Sequence, residues 1–413
     1  MKDFFQVDRT VFEASAPGRI DVMGGVAEYS GSLLLQMSTD QRTSVQVQLT
    51  EEDFFTVVGD FAGAQRSAVV SLEDVFFWRL TQPIADGDPE PENFWTRYVL
   101  GCFLLGAEQF GFPLTGARIY IKSDVPIREG LSSSAALEVA TLRVLAKAYD
   151  LNFGTLELPK LAQRVQQEIV GSSHGLMGQF GSHHGVTDAL LPLYGQPAKL
   201  HSSISIPGDL MFERVSSGVS KPLSQDAFSA ARTAAFMGYA ILAKQMGATP
   251  EQLNLAKESG DWSSLPAEGY LANFDAKHFE QNLEETLPET MLGADFLAAG
   301  NVNIDLATVI DPRRVYSVRA AASHPVYEHA CIRQFASLLA QIDQVDLPRH
   351  QVFARLGLLM LSSHASYSAL GLGHEATDDL VHDVIAKGAK RGYYGARVTG
   401  GGCGGSVVVL RKR

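Results

Sequence analysis

Pro126 to Ala136 reads PIREGLSSSAA, and it separates a strand-like stretch, Ala117 to Ser123 (ARIYIKS), from Leu137, Ala140, Val144 and Ala148, which recur at helical intervals. Strand, glycine-bearing loop and helix follow in that order. A loop of this composition turns tightly at Gly130 and offers backbone N–H groups and serine hydroxyls at a helix N-terminus, where the dipole favours phosphate. Taken alone, the same stretch also reads as a helix start with redundant serine caps at Ser132 to Ser134.

Outward from this loop, Thr43 to Leu49 alternates (TSVQVQL) and Phe54 to Val58 is β-rich, which predicts paired strands after an irregular opening. Phe94 to Phe110 has helical spacing, and the acidic, proline-bearing Ile84 to Glu92 before it reads as a surface loop. Leu158, Leu161, Val165 and Ile169 mark a second helix that Gly171 stops. A glycine-rich patch runs on to Gly185. Weak alternation near Leu200 to Val215 precedes an alanine-rich helix, Ala227 to Gln245, and mostly helical sequence. At the end, Tyr394 to Thr399 and Ser406 to Leu410 are β segments joined by a glycine turn within TGGGCGGS, Thr399 to Ser406. The expected organisation is two domains, 1–200 and 201–413.

At about 150 residues per domain, 413 residues accommodate two or three. Hydrophobic residues at 46% and charged residues at 19% exclude a disordered or fibrous chain. A net charge of −12 argues against nucleic acid or an anionic membrane as partner and leaves small polar or phosphorylated molecules. Cys102, Cys331 and Cys403 are scattered, which supports neither a disulfide framework nor a zinc ribbon and points to a reducing cytoplasm. The opening MKDFFQVDRT lacks the apolar core of a secretory signal, and the uncharged stretch Leu356 to His374 holds too many serines for a membrane span.

A third motif, Ala16 to Leu35 (APGRIDVMGGVAEYSGSLLL), completes a set whose order and separations resemble the GHMP small-molecule kinases. Within that superfamily the chain looks most like the galactokinase branch, and in particular the kinase domain of plant L-arabinokinases, whose opening also reads like R-x-D-V-M-G-G. The resemblance covers nearly the whole chain. It recurs in Glu138 to Thr141 (EVAT), Asp311 to Ala320 (DPRRVYSVRA), His324 to Glu328 (HPVYE) and Tyr367 to Gly373 (YSALGLG). It implies an α+β protein in which an N-terminal ribosomal-protein-like α+β domain meets a C-terminal ferredoxin-like α+β domain, with ATP and sugar in the cleft between them. It further implies that Gly130, Leu131, Ser132, Ser133, Ser134 and Ala135 hold the ATP phosphates and that Ser134 faces Mg²⁺. By the same resemblance Arg19 lies near the transferred phosphoryl group, and Glu28 and Tyr29 bind the sugar.

The chain departs from the family pattern where the chemistry is concentrated. The family's catalytic aspartate lies in a segment like C-G-x-M-D-Q, and the matching HGLMGQ, His174 to Gln179, has Gly178 there. A glycine cannot accept the sugar proton, although it permits a positive φ. The family glutamate for Mg²⁺, five residues before the helix-ending glycine, corresponds to Gln166, an amide that holds the ion less well. Glu28 replaces the family's aspartate, Ser216, Ser217 and Gly218 stand for D-S-G, and Arg128 occupies a position that is often glycine. His174 and Lys221 lie in the segments nearest the lost aspartates and are the candidate replacement bases. His183 and His184 are adjacent, point apart on any regular element, and read as structural. The expectation is an ATP-dependent sugar kinase acting on an anomeric hydroxyl with reduced or atypical activity. The alternative is an inactive sugar- or nucleotide-binding regulator on the same fold.

Overall fold

The computed structural model describes residues 4–81, 91–172, 175–219 and 225–413. His174, Lys221 and most of the expected Ile84 to Glu92 loop lie outside the described residues. Two compact units are present: residues 1–20 with 38–187, and residues 21–37 with 188–413. The chain passes from one to the other inside β1 (Phe12–Met23), inside β2 (Leu33–Leu49) and after Thr187. A single boundary near residue 200 therefore does not account for residues 21–37.

The first unit holds β3 (Phe54–Phe61), β4 (Ala64–Ser71), α1 (Leu72–Leu80), α2 (Arg97–Phe110), β5 (Ala117–Ser123), α3 (Ser133–Ala148), α4 (Glu157–Arg164) and α5 (Met177–His184). Its strands run in the order β4–β3–β5–β2, with β3 antiparallel to β4 and parallel to β5. β5 is antiparallel to β2, setting Val45 opposite Ile121 and Val47 opposite Ile119. Period-two alternation sends these residues and Phe55 and Val57 into one cluster with Val99 and Phe103 of α2 and Val139 of α3. Each such side chain contributes roughly 1.5–3 kcal/mol of burial. Thr43 to Leu49 thus takes β5 as partner rather than Phe54 to Val58, because β3 is occupied by β4 and β5. The polar β4 sequence, AQRSAVVS, carries too little alternation to announce that hairpin. The expected irregular opening is instead the twelve-residue β1, whose residues from Ala16 to Met23 are buried on both faces and so lack alternation.

The second unit contains β6 (Ala189–Tyr194), β7 (Lys199–Leu200), β8 (Ile204–Ser205), β9 (Leu210–Ser216), α6 (Gln225–Gln245), α7 (Pro250–Ser259), α8 (Ala276–Asn282), β10 (Met291–Leu292), α9 (Gly293–Ala298), β11 (Val315–Tyr316), α10 (Val318–Ala340), α11 (Arg349–Ala369), α12 (Glu375–Lys387), β12 (Tyr393–Val398) and β13 (Ser406–Lys412). The glycine motif joins β12 and β13 as an antiparallel pair, as its composition predicts, and β13 also pairs with β9. Four of its five glycines and Cys403 have positive φ, a backbone that β-carbon-bearing residues rarely adopt. Phe228, Phe236, Tyr239, Phe279, Phe296 and Val318 belong to the buried cluster of this unit, which α6 and α10 supply in large part.

One close approach within this unit sets its tolerance. A β-carbon on Gly357 of α11 would overlap the Tyr394 carbonyl of β12, so helix and strand touch backbone to backbone there. Gly357→Ala is expected to destabilise the protein by about 2 kcal/mol, as overpacking of a rigid contact does. The change should appear as a lower urea midpoint with unchanged slope. An unaltered midpoint would show that the strand can retreat.

Candidate functional site

In the first unit the predicted phosphate loop is a backbone structure before it is a set of side chains. Arg128, Gly130 and Ser132 have φ of 61°, 80° and 57°, so the chain turns left-handed three times before α3 begins. Arg19, on β1 and 3% exposed, fastens the turn: its backbone N–H donates to Leu131 O at 3.0 Å and its Nη1 to Gly130 O at 3.0 Å. Gly18 is required beside it, because a β-carbon there would lie 2.9 Å from Thr39 Oγ1 and 3.1 Å from Leu131 O.

The expected serine cap is absent: Ser132 is the N-cap residue of α3, yet its left-handed backbone leaves its side chain without a capping hydrogen bond. The first-turn N–H groups, those of Ser133, Ser134 and Ala135, are consequently left for solvent or an anion.

Behind the loop runs a chain of buried polar side chains. Gln166 Nε2 donates to Ser134 Oγ at 3.1 Å, Gln179 Nε2 donates to Gln166 Oε1 at 2.5 Å, and the same amide donates to Glu138 Oε2 at 3.1 Å. Gln166 lies on a π-helical turn, Val165–Val170, that continues α4 and ends at left-handed Gly171, the stop the sequence predicts. Such turns widen a helix and recur at functional sites. Glu138 is fully buried, and burial pushes its carboxyl well above the usual range against the smaller opposing effect of the Gln179 hydrogen bond. Gln179 and Glu138 went unnoticed as site residues in the sequence, although both stand in quoted motifs. The available signal was the glutamine retained beside the lost aspartate.

Gly178 sits on α5 without a positive φ, so the sequence-level allowance for one is not used. A β-carbon there would meet Ser132 Oγ at 2.9 Å and Ala135 Cβ at 3.2 Å, which puts this position against the phosphate loop. His183 and His184 follow one turn later with rings edge to face at 4.4 Å, and no cluster of three or more metal-binding side chains occurs among the described residues.

In the second unit, Glu28 and Tyr29 lie on the short 3₁₀ turn Val26–Ser30, and both are buried. Tyr29 packs edge-on to Phe228 at 6.1 Å and lies under the Arg232 guanidinium, which is paired with buried Asp305 at 2.7 Å. Its hydroxyl has no hydrogen-bond partner among the described residues. Gly195 leaves the space that the Glu28 carboxylate fills. Gly25 is required because a β-carbon would strike the Tyr367 hydroxyl, which accepts from Val26 N–H at 2.7 Å. Ser217 binds Gly405 O through its N–H and its hydroxyl, both at 2.8 Å, tying the Ser216 to Gly218 turn to the glycine motif.

Mixed α+β architecture with this loop defines the GHMP kinase fold. The fold matches that of Lactococcus lactis galactokinase complexed with galactose at a TM-score of 0.70, with 20% identity over 99% of this chain and 87% of that one. Methanococcus jannaschii mevalonate kinase matches at 0.56, with 16% identity over 98% and 92%. Residues 97–186 match the family described as GHMP kinases N terminal domain. The chain is 30% identical to L-arabinokinase of Arabidopsis thaliana over 98% of its own length, and it spans 43% of that protein. It is 26% identical to galactokinase of Thermotoga maritima over 97% of this chain and 89% of that one. Residues 97–186 thus carry the N-terminal domain of the GHMP kinases, and over nearly its whole length the chain is similar to members of the galactokinase branch.

Glu138 provides a test of the buried chain. With its folded pKa above the unfolded value of about 4.3, the carboxyl holds its proton more tightly when folded, so stability falls as pH rises through that window. Glu138→Gln removes the titration while keeping an acceptor for Gln179. The variant should gain stability relative to the parent between pH 5 and pH 8, measured by urea unfolding, and the gain should shrink toward about pH 4. A difference independent of pH would refute the assignment.

Proposed function

We propose that this chain is an ATP-dependent sugar kinase of the galactokinase and L-arabinokinase type, transferring a phosphoryl group to an anomeric hydroxyl with low or atypical turnover. The observation that carries the proposal is the uncapped start of α3 behind a loop held by Arg19. The backbone of Gly130 to Ala135 would hold the phosphates of ATP, which supplies the phosphoryl group, and the Arg19 guanidinium would stabilise charge developing there. Residues 1–200 and 201–413 would serve as the N- and C-terminal kinase domains, with residues 21–37 and 188–200 contributed to the second unit. Of the two proposed sugar residues, Glu28 is the stronger, since the Tyr29 ring is held in the apolar cluster of its unit.

Magnesium fits poorly. Ser134 Oγ receives an amide proton from Gln166, and a hydroxyl with a neutral amide is a weak donor set for a hard dication. Nucleotide binding should therefore depend little on Mg²⁺. A second reading, a binding protein without turnover, is favoured by the same amide together with Gly178, which offers no base.

Calorimetry with ADP, with and without Mg²⁺, followed by a coupled assay for ADP release over a panel of free sugars, tests both readings. The kinase reading expects nucleotide binding in either condition and slow sugar-dependent release. Binding without release for any sugar selects the second reading, and no binding at millimolar nucleotide would sink the kinase reading and leave only a sugar-binding protein.

The double variant Gly178→Asp with Gln166→Glu should raise turnover by at least about 10²-fold, the usual worth of one general base. Because aspartate at 178 presses on Ser132, the same pair combined with Ser132→Gly makes room and suits the left-handed φ there. A folded variant that binds ATP and sugar and stays silent would assign the defect to the sugar pocket.

A further inference from the structure

Apart from the phosphate loop, the first unit has an open cavity of about 320 Å³ bordered by Arg42, Arg143, Ser38, Ser182 and His183. Arg143 lies ten residues along α3 from Ser133, or roughly 15 Å at the helical rise, which separates the cavity from the start of that helix. Two arginines meet here, and the one carboxylate bound to them among the described residues, that of Asp124, accepts from the Arg42 backbone N–H at 2.5 Å rather than from a guanidinium. Arg143 donates from Nη1 to Ser15 O at 2.7 Å and from Nη2 to His183 O at 2.8 Å, and Arg42 donates to Ser15 Oγ at 3.2 Å. Neither guanidinium has an ion pair with a carboxylate among the described residues. The neighbouring His183 adds no negative charge and is kept neutral, its pKa lowered to about 3 by burial, by His184 and by Arg143.

Two hydroxyls in the wall are unpartnered among the described residues. Ser182 and Ser38 are 1% and 5% exposed, and neither Oγ has a hydrogen-bond partner among the described residues. Buried hydroxyls are normally paired, and leaving one unpaired costs about 1–3 kcal/mol. Gly185 keeps the space beside Ser38 open, since a β-carbon there would overlap the Ser38 hydroxyl. A guanidinium pinned by carbonyls, a second one at the rim, and two hydroxyl donors form a preorganised set that only an anion completes.

We propose that this cavity binds a small phosphate dianion, free or as the end group of a small metabolite, at a site distinct from the phosphate loop. Two cations and two hydroxyls match the charge and the oxygens of a phosphate, and the volume lies at the lower end of small-ligand pockets. The site is independent of turnover.

Equilibrium dialysis of the full chain against radiolabelled inorganic phosphate, at fixed ionic strength in chloride, tests it. Binding to the parent is expected, weakened by about tenfold in Arg42→Ala, the loss of one charge-assisted contact. Arg143 also ties β1 to α5, so Arg143→Gln can fail to fold. Ser182→Val, which removes a hydroxyl and fills the wall, is the second variant and should weaken binding likewise. Glycerol 2-phosphate is the competitor: displacement at lower concentration than unlabelled phosphate assigns a phosphorylated metabolite, and displacement only at higher concentration assigns the free ion. No binding by the parent, or binding that survives both Arg42→Ala and Ser182→Val, would overturn the proposal. Because no turnover is measured, that failure is distinct from a failure of the kinase reading.

Discussion

Arg19 holds the loop that precedes α3 by its backbone and its side chain at once, and the local architecture of the first unit follows from that double attachment. A segment with three residues at positive φ, two of them non-glycine, carries backbone strain of order 1–2 kcal/mol at each non-glycine position. Such a segment persists only where its surroundings over-determine it. The guanidinium bond to Gly130 O and the backbone bond to Leu131 O do this from one strand. The result is a helix start with its N–H groups aligned and uncapped, the geometry an anion requires.

Behind this exposed backbone lies a line of side chains made mostly of neutral groups. Amide follows amide from Ser134 through Gln166 to Gln179, and the line ends on a carboxyl whose pKa burial pushes well above the usual range. The bonds run from 2.5 to 3.1 Å, and Gln166, on the π turn, makes two of them. Neutral groups exclude the large desolvation cost that an unpaired charge would carry at such depth. The loop is thereby supported by the protein alone.

The strand, loop and helix around Gly130, the terminal glycine hairpin and the stop at Gly171 were legible in the sequence, because each depends on local turn chemistry or local periodicity. β1 was not, since a strand buried on both faces carries no alternation, and the partner of Thr43 to Leu49 was not, since β5 lies some seventy residues further on. The missing Ser132 cap depends on one dihedral angle that three consecutive serines do not encode. Gln166 and Gly178 stood out as departures, but their consequences could be read only once Ser134 and Ser132 were seen in contact with those positions. The arginine cavity draws on β1, β2, α3 and α5, and no spacing in the chain brings those residues together.

The amide at Gln166 also explains how the loop can keep its form without a metal. A glutamate at this 8% exposed position would place a second carboxyl on the Gln179 amide that already serves Glu138. Its charge would be offset only by the Ser134 hydroxyl turning to donate, or by a bound dication. Burying an ionised carboxylate without such a partner is strongly unfavourable. With glutamate, therefore, order in the loop is linked to metal binding; with glutamine, the amide donates to Ser134 and accepts from Gln179, satisfying both neighbours at once. At Gly178, packed against Ser132 and Ala135, the absent side chain likewise places no charge against the loop.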